Sequence, residues 1–307
     1  MEDDKSMLIS RRIHQTTSDR IWSWAFLIPV VVVLMIAAFI PLGYGLVLSF
    51  HRYKLTIATS RPAFIGLQNY FNMFRDEIFI KSLTNNVTFA LLSVSIELVV
   101  GVMVAMMLSD DNRMSRLLTT FLMVPMIIAP VAAGTLWRMM VDRTYGVVNY
   151  LLSFVGIPPV SWIGDYRIAL YTVVFVDCWQ FIPFVALLVL SSIKAIPQSF
   201  LDAARVDGAS PWKVFTRIVL PITSPVIIIV AMIRFIDAFK IFDVVFVMTQ
   251  GGPGNATEML PTYIYRQGIK FLDVGYSSAT AILFILAMSL IATVFMRLRS
   301  LQLRRLG

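Results

Sequence analysis

Cysteine is almost missing from this 307-residue chain, with Cys178 the only one, and histidine is limited to His14 and His51. One thiol cannot close an internal disulfide and carries no information about redox compartment. Two histidines in separate polar segments and one cysteine make no zinc spacing. Charge is scarce as well, at 14% of residues. No GxxxxGK[ST] loop or LSGGQ-like run occurs to handle a nucleotide, and no GxSxG elbow presents a nucleophile. No catalytic residue, metal ligand or cofactor of its own is therefore assigned to the chain. The alternating pattern of an outer-membrane barrel is also absent.

What is abundant is apolar length. Hydrophobic residues make up 58% of the chain, and its mean hydropathy is +0.79. Six runs, 25–48, 83–108, 117–137, 168–193, 219–248 and 276–296, reach the ~20 residues that a helix needs to cross ~30 Å of hydrocarbon. The fold class expected is all-α, a polytopic protein with six transmembrane helices and the lipid bilayer as its surroundings. The first run is longer than the apolar stretch of a signal peptide, and no small-x-small site follows it, so cleavage is not expected. Pro29 and Pro41 should kink that first helix. The formal charge of +8 does not form a stripe on one element, which argues against nucleic acid. It marks orientation instead. Segments 1–20, 109–116, 194–218 and 297–307 hold 14 Lys and Arg in 64 residues, against 10 in 91 for 49–82, 138–167 and 249–275. The bias puts both termini and the 194–217 loop in the cytoplasm. The N-terminal tail is read as mobile, with a short interfacial helix at 7–13.

The polar interval 194–225 stands out between two membrane-length runs. Ile196-Pro197 stops the preceding helix. Phe200, Ala203, Ala204 and Asp207 then recur at i, i+3, i+4 and i+7, one large and two small apolar side chains on a face that can be approached closely. Gly208 suits a left-handed C-terminal stop, and Ser210-Pro211 supplies an N-cap and a first-turn proline for a second helix.

Leu201-Asp202-Ala203-Ala204, Asp207-Gly208-Ala209 and Ile218-Val219-Leu220-Pro221 resemble the EAA motif of permease subunits in bacterial carbohydrate-uptake ABC importers, of the maltose and glycerol-phosphate type. Further resemblances are Gly66-Leu67-Gln68-Asn69-Tyr70, a GLxNY-like segment, and Thr249-Gln250-Gly251-Gly252-Pro253, a TxGGP-like loop. Together they cover roughly 64–296. The resemblance implies a type I importer permease of five core helices plus one N-terminal helix, in the bacterial inner membrane. Its partners would be a second homologous permease, two ATP-binding cassette ATPases that hold ATP and Mg, an extracytoplasmic solute-binding protein and a carbohydrate substrate. It divides the chain into a cytoplasmic tail (1–20), a first transmembrane helix (21–48), an extracytoplasmic loop (49–82), a permease core (83–300) with the coupling loop at 194–221, and a C-terminal tail (301–307). It also assigns ATPase docking to Phe200, Leu201, Asp202, Ala203, Ala204, Asp207 and Gly208. Asp202 stands where glutamate is usual, so the acid is kept with a shorter reach.

Six ionisable residues lie within spans: Glu97, Asp177, Arg234, Asp237, Lys240 and Asp243. Each costs roughly 2.5–3.5 kcal/mol at a lipid-facing helix centre, so they should face a cavity or one another. The last four alternate in sign every three residues, and neighbours so spaced can pair along one helix. Counting down each helix puts Glu97 and Arg234 near one depth, for a structural bridge, and Asp177, Asp237 and Lys240 in a shallower layer suited to cargo. By resemblance to the helix preceding the coupling loop in maltose-type permeases, Asp177, Gln180, Phe181 and Phe184 would line the sugar site, with Arg234, Ala238 and Ile241 at the matching positions of the next span. The family has polar uncharged residues at those last three. Trp179, Phe181 and Phe184 would offer faces to a sugar ring, with Asp177 and Gln180 for its hydroxyls. Arg234 and Lys240 leave a phosphorylated or sulfonated sugar open. The alternative function is an ion-coupled secondary transporter using Asp177 and Asp237.

Overall fold

The computed structural model describes residues 17–56 and 61–306; the helix expected at 7–13 lies outside them. The chain begins with α1 (Thr17–Leu34), which passes through a π-helical turn (Met35–Phe39) into α2 (Ile40–Ser49). Pro41 near the start of α2 has no N–H to donate back, and the widened turn before it absorbs the missing bond. Two short antiparallel strands, β1 (His51–Arg52) and β2 (Ala63–Phe64), then lead to α3 (Gln68–Met73). The GLxNY-like segment is a clasp. Asn69 donates from Nδ2 to the carbonyls of Ser49 and His51 at 2.8 and 3.0 Å, and the Tyr70 hydroxyl donates to Ser49 Oγ at 2.8 Å.

The long α4 (Glu77–Met107) starts at Asp76, whose Oδ1 accepts from the amides of Ile78 and Phe79. After a tight turn come α5 (Arg113–Leu122), α6 (Val124–Ile127) and α7 (Pro130–Met140). These make up the third expected span, bent by 95° at its break. Ala129 is extended there, because the residue before Pro130 is forced out of the helical region, and Ile128 beside it is extended as well. The 141–167 loop contains the short helix α8 (Val147–Ser153). It leads to α9 (Ala169–Lys194), then α10 (Gln198–Val206) and α11 (Pro211–Val214). A π turn (Phe215–Val219) connects to α12 (Leu220–Phe239), α13 (Asp243–Met248) and α14 (Leu260–Tyr265); a third π turn (Arg266–Lys270) precedes α15 (Val274–Leu306). Among the described residues, five helices are long and apolar enough to cross a membrane, six with the bent pair counted as one span.

The core forms where α4 and α9 run side by side. Phe89, Ala90 and Val94 bury against Val173, Val176 and Cys178. At Gly101 the two backbones come so close that a Cβ would sit 2.6 Å from Val185 Cγ1. The first span behaves differently: none of its most apolar window is buried within this chain. It meets the bundle where α2 packs on α15, consistent with an added peripheral helix.

Candidate functional site

Three core helices converge on one guanidinium. Arg234 of α12 donates from Nε to Glu97 Oε2 at 2.7 Å and from Nη2 to Glu97 Oε1 at 3.0 Å, a bidentate clasp with α4. The same Nη2 reaches Asp177 Oδ2 of α9 at 3.0 Å, and the Phe181 ring covers the guanidinium at 3.7 Å. Exposure is 0% for Glu97, 3% for Asp177 and 1% for Arg234. The Glu97–Arg234 bridge is the one expected from depth. Asp177 is a correction, since it joins this cluster and not a shallower layer with Asp237 and Lys240. Counting along a helix gives height but not the side that faces inward, and a long arginine side chain bridges a modest offset in height.

Gln180 is buried too, at 1% exposure, and its Nε2 donates to the Ile128 carbonyl at 2.7 Å. That carbonyl lies at the bend of the third span, where no helical N–H is available to it. Gln180 Oε1 is buried without a partner. Trp179 packs edge-on to Trp137, and Phe184 packs against the inner apolar cluster. Ala238 and Ile241 are buried, at 1% and 8%. Asp177, Gln180, Arg234, Ala238 and Ile241, all assigned to cargo by resemblance, are thus occupied inside the bundle, and Trp179, Phe181 and Phe184 are half-buried.

The charge ladder along the fifth run forms one rung. Lys240 Nζ lies 3.1 Å from Asp237 Oδ1, with side chains about half exposed. Arg234 turns to other helices, and α12 ends at Phe239, so Asp243 opens a separate helix. Asn86 of α4 stabilises this break by donating to the orphaned Phe239 carbonyl at 3.0 Å. Its Oδ1 accepts from Leu260 N at 3.1 Å, while Asn85 Nδ2 bonds the carbonyls of Asn255 and Glu258. Sequence reasoning did not single out this pair. Two adjacent amides inside an apolar run were the available signal.

The asparagines grip the TxGGP-like loop. Gly251 has φ +85°, and a Cβ on it would collide with the Glu258 carboxylate; Gln250 itself adopts φ +53°. Glu258 is fully buried and paired with Arg266, which also donates to the Gln250 carbonyl at 2.9 Å. Burial raises the Glu258 carboxyl above the usual range, more than Arg266 offsets.

In the 194–225 interval α10 follows Pro197 as expected, Gly208 closes it at φ +71°, and Ser210 Oγ accepts from Lys213 N at 3.4 Å to cap α11. Its faces divide by exposure. Leu201 and Ala204 turn inward, while Phe200, Asp202, Ala203, Asp207 and Gly208 lie open. Ala204 therefore belongs to the inner edge and not to the outward face with Ala203. Gln198 Nε2 donates to Asp202 Oδ1 at 3.3 Å. Phe200 is 55% exposed and Trp212, on the next helix, 71%. No histidine, cysteine or carboxylate cluster suited to a metal is found among the described residues.

Comparison with known proteins places this architecture. The family described as binding-protein-dependent transport system inner membrane component matches residues 97–307. The chain is similar to the trehalose/maltose transport system permease protein MalF of Thermococcus litoralis, at 33% identity over 87% of this chain and 90% of that one. It is also similar to the sulfoquinovosyl glycerol transport system permease protein SmoG of Agrobacterium fabrum, at 31% identity over 91% of each. Among solved structures, a bacterial ABC transporter involved in the import of the acidic polysaccharide alginate superposes with a TM-score of 0.82 at 22% identity, covering 94% of this chain and 99% of that one.

Proposed function

From the premise that this chain belongs to the binding-protein-dependent transport system inner membrane components, we propose that it carries a sugar or sugar derivative through the bilayer in partnership with a second, homologous permease. The chain is a multi-pass, non-enzymatic permease subunit of a binding-protein-dependent ABC importer. Two ATPase subunits, holding ATP and Mg, would sit against the outward face of α10. An extracytoplasmic binding protein would deliver cargo at the opposite side. The membrane would be the bacterial inner membrane with both termini in the cytoplasm, a placement supported by the bias of Lys and Arg.

One observation carries this reading. Phe200, Ala203 and Asp207 form an exposed stripe on a short helix whose other edge, Leu201 and Ala204, is anchored in the bundle. A large side chain beside a small one suits insertion into a cleft on another protein. Anchoring of the opposite edge makes the helix a lever: force on the stripe passes through Leu201 to the cluster of Val185 on α9, Ile196 just past its end and Val219 on the approach to α12. Arg234 ties those two spans to α4, so the three should move together.

The alternative of ion coupling finds less support, because Asp177 is engaged with Arg234 and Asp237 with Lys240. Substitution of Ala203→Arg tests the docking reading. A long cation there should block seating of the ATPase and abolish transport-coupled ATP hydrolysis, with membrane insertion intact. Normal uptake by this variant would overturn the reading.

A further inference from the structure

The ion pairs inside the spans bear on which cargo can pass. Arg234 is outnumbered, with Glu97 and Asp177 both on it. Lys240 is taken by Asp237, and Asp243, exposed three residues further on, forms no ion pair among the described residues. Arg234 and Lys240 are thus each matched or exceeded by carboxylates, and the exposed set of Asp237, Lys240 and Asp243 sums to minus one.

This exposed set also marks a place. Asp237 and Lys240 are 47% and 54% exposed although they lie within an apolar span. Facing lipid would cost each roughly 2.5–3.5 kcal/mol, so the face meets water or a polar neighbour. The helix breaks here as well, between Phe239 and Asp243. Interrupted spans in transporters often mark a binding site, and here Asn86 covers the Phe239 carbonyl from within the bundle. By contrast, the positions assigned by resemblance to sugar contact are largely turned into the bundle.

Resting on the permease reading above, we infer that this chain's contribution to the pathway is the Asp237–Lys240–Asp243 face, and that it selects uncharged, hydroxyl-rich cargo over anionic sugars. A carboxylate and an ammonium 3.1 Å apart present an acceptor and a donor together, which suits neighbouring hydroxyls. An anionic group would gain Lys240 only by displacing Asp237 and would then meet Asp243.

The test uses the assembled transporter in membrane vesicles, with Cys178→Ser to remove the native thiol and Ile233→Cys to place a reporter one turn from Asp237. Labelling is followed with a trimethylammonium-bearing and a sulfonate-bearing methanethiosulfonate reagent, each rate normalised to a free thiol in solution. The expected result is a roughly tenfold preference for the cationic reagent, lost or inverted by Asp237→Asn with Asp243→Asn. An anionic reagent that reacts equally fast would overturn the charge selection. Failure of both reagents, with and without ATP, would show that this face is not wetted and overturn its place in the pathway. Neither result touches ATPase docking, which Ala203→Arg tests independently.

Discussion

The loops that the Lys and Arg bias assigns to the outer side and the loop it assigns to the cytoplasm are both polar interruptions of an apolar chain, yet they use their side chains in opposite ways. Around the TxGGP-like turn the polar groups face inward: Asn85 and Asn86 serve the ends of broken helices, and Glu258 pairs with Arg266 through Oε2 while its Oε1 is buried without a partner. Around α10 the pattern is reversed. Apolar Phe200 and Trp212 stand in solvent, and the folded chain gives them little to cover. A buried polar group is held because leaving it bare costs about 1–3 kcal/mol, which fixes geometry. An exposed apolar side chain stabilises nothing until a partner covers it. The outer region and the polar cluster within the bundle should therefore register substitution as lost stability, and the inner loop as lost coupling.

The largest effect should come from Arg234→Met. It strands two carboxylates in the bundle, and removal of one partner from a buried pair costs about 3–5 kcal/mol. Reversible unfolding in detergent mixtures would measure it. Combining Arg234→Met with Glu97→Gln and Asp177→Asn should recover most of the loss. A single-variant cost under about 1 kcal/mol would mean that water reaches the carboxylates and that this region resembles the loop more than the core.

Next in size is Asn86→Ala, which bares the Phe239 carbonyl and the Leu260 amide at about 1–3 kcal/mol each. Asn86→Asp keeps the acceptor and loses the donor, so it should fall between. Hydrogen exchange at Leu260 reads the two apart: faster in the alanine variant, near wild type in the aspartate one.

How much of this was legible beforehand follows the same division. Hydropathy located the spans because a bilayer imposes length and composition together, and the α10 stops were readable from Pro197, Gly208 and Ser210 because capping is local chemistry. The third span read as one continuous run, but its 95° bend depends on what holds its free carbonyl, and that is Gln180 from a distant helix. Asp177 and Gln180 both read as cargo contacts, since polarity in a membrane helix marks a need for a partner without naming it. The Glu97–Arg234 bridge was recoverable because only matching depth was required. Ala204 was placed on the wrong edge of α10, as a small residue at i+4 fits either flank of a stripe.

A smaller effect should appear with pH at the outer turn. Burial holds the folded Glu258 carboxyl above its unfolded value of about 4.3. The folded state therefore binds the proton more tightly. Stability from this group is fully present below that unfolded value and is lost as pH rises through the raised one. Glu258→Gln should flatten the profile, read as exchange protection at 251–258 corrected for intrinsic rates. Protection that increases with pH in the wild-type protein alone would mean the Arg266 pair outweighs desolvation.

Least visible in stability should be Phe200→Ala. The ring is 55% exposed and lies on the outward edge of α10, away from the anchoring Leu201. Surface substitutions of this kind usually change stability by less than about 0.5 kcal/mol. Unfolding of the isolated subunit should thus be unaltered. In the assembled transporter the same change removes the largest side chain of the proposed docking stripe, and if the stripe seats an ATPase, transport-coupled ATP hydrolysis should fall steeply while membrane insertion persists. Leu201→Ala sharpens the contrast, because it withdraws the inward anchor and should cost both stability and coupling. If Phe200→Ala destabilised the isolated subunit as much as Leu201→Ala, the ring would be packed within this chain, and α10 would belong with the inward-facing outer region and not with a surface awaiting a partner.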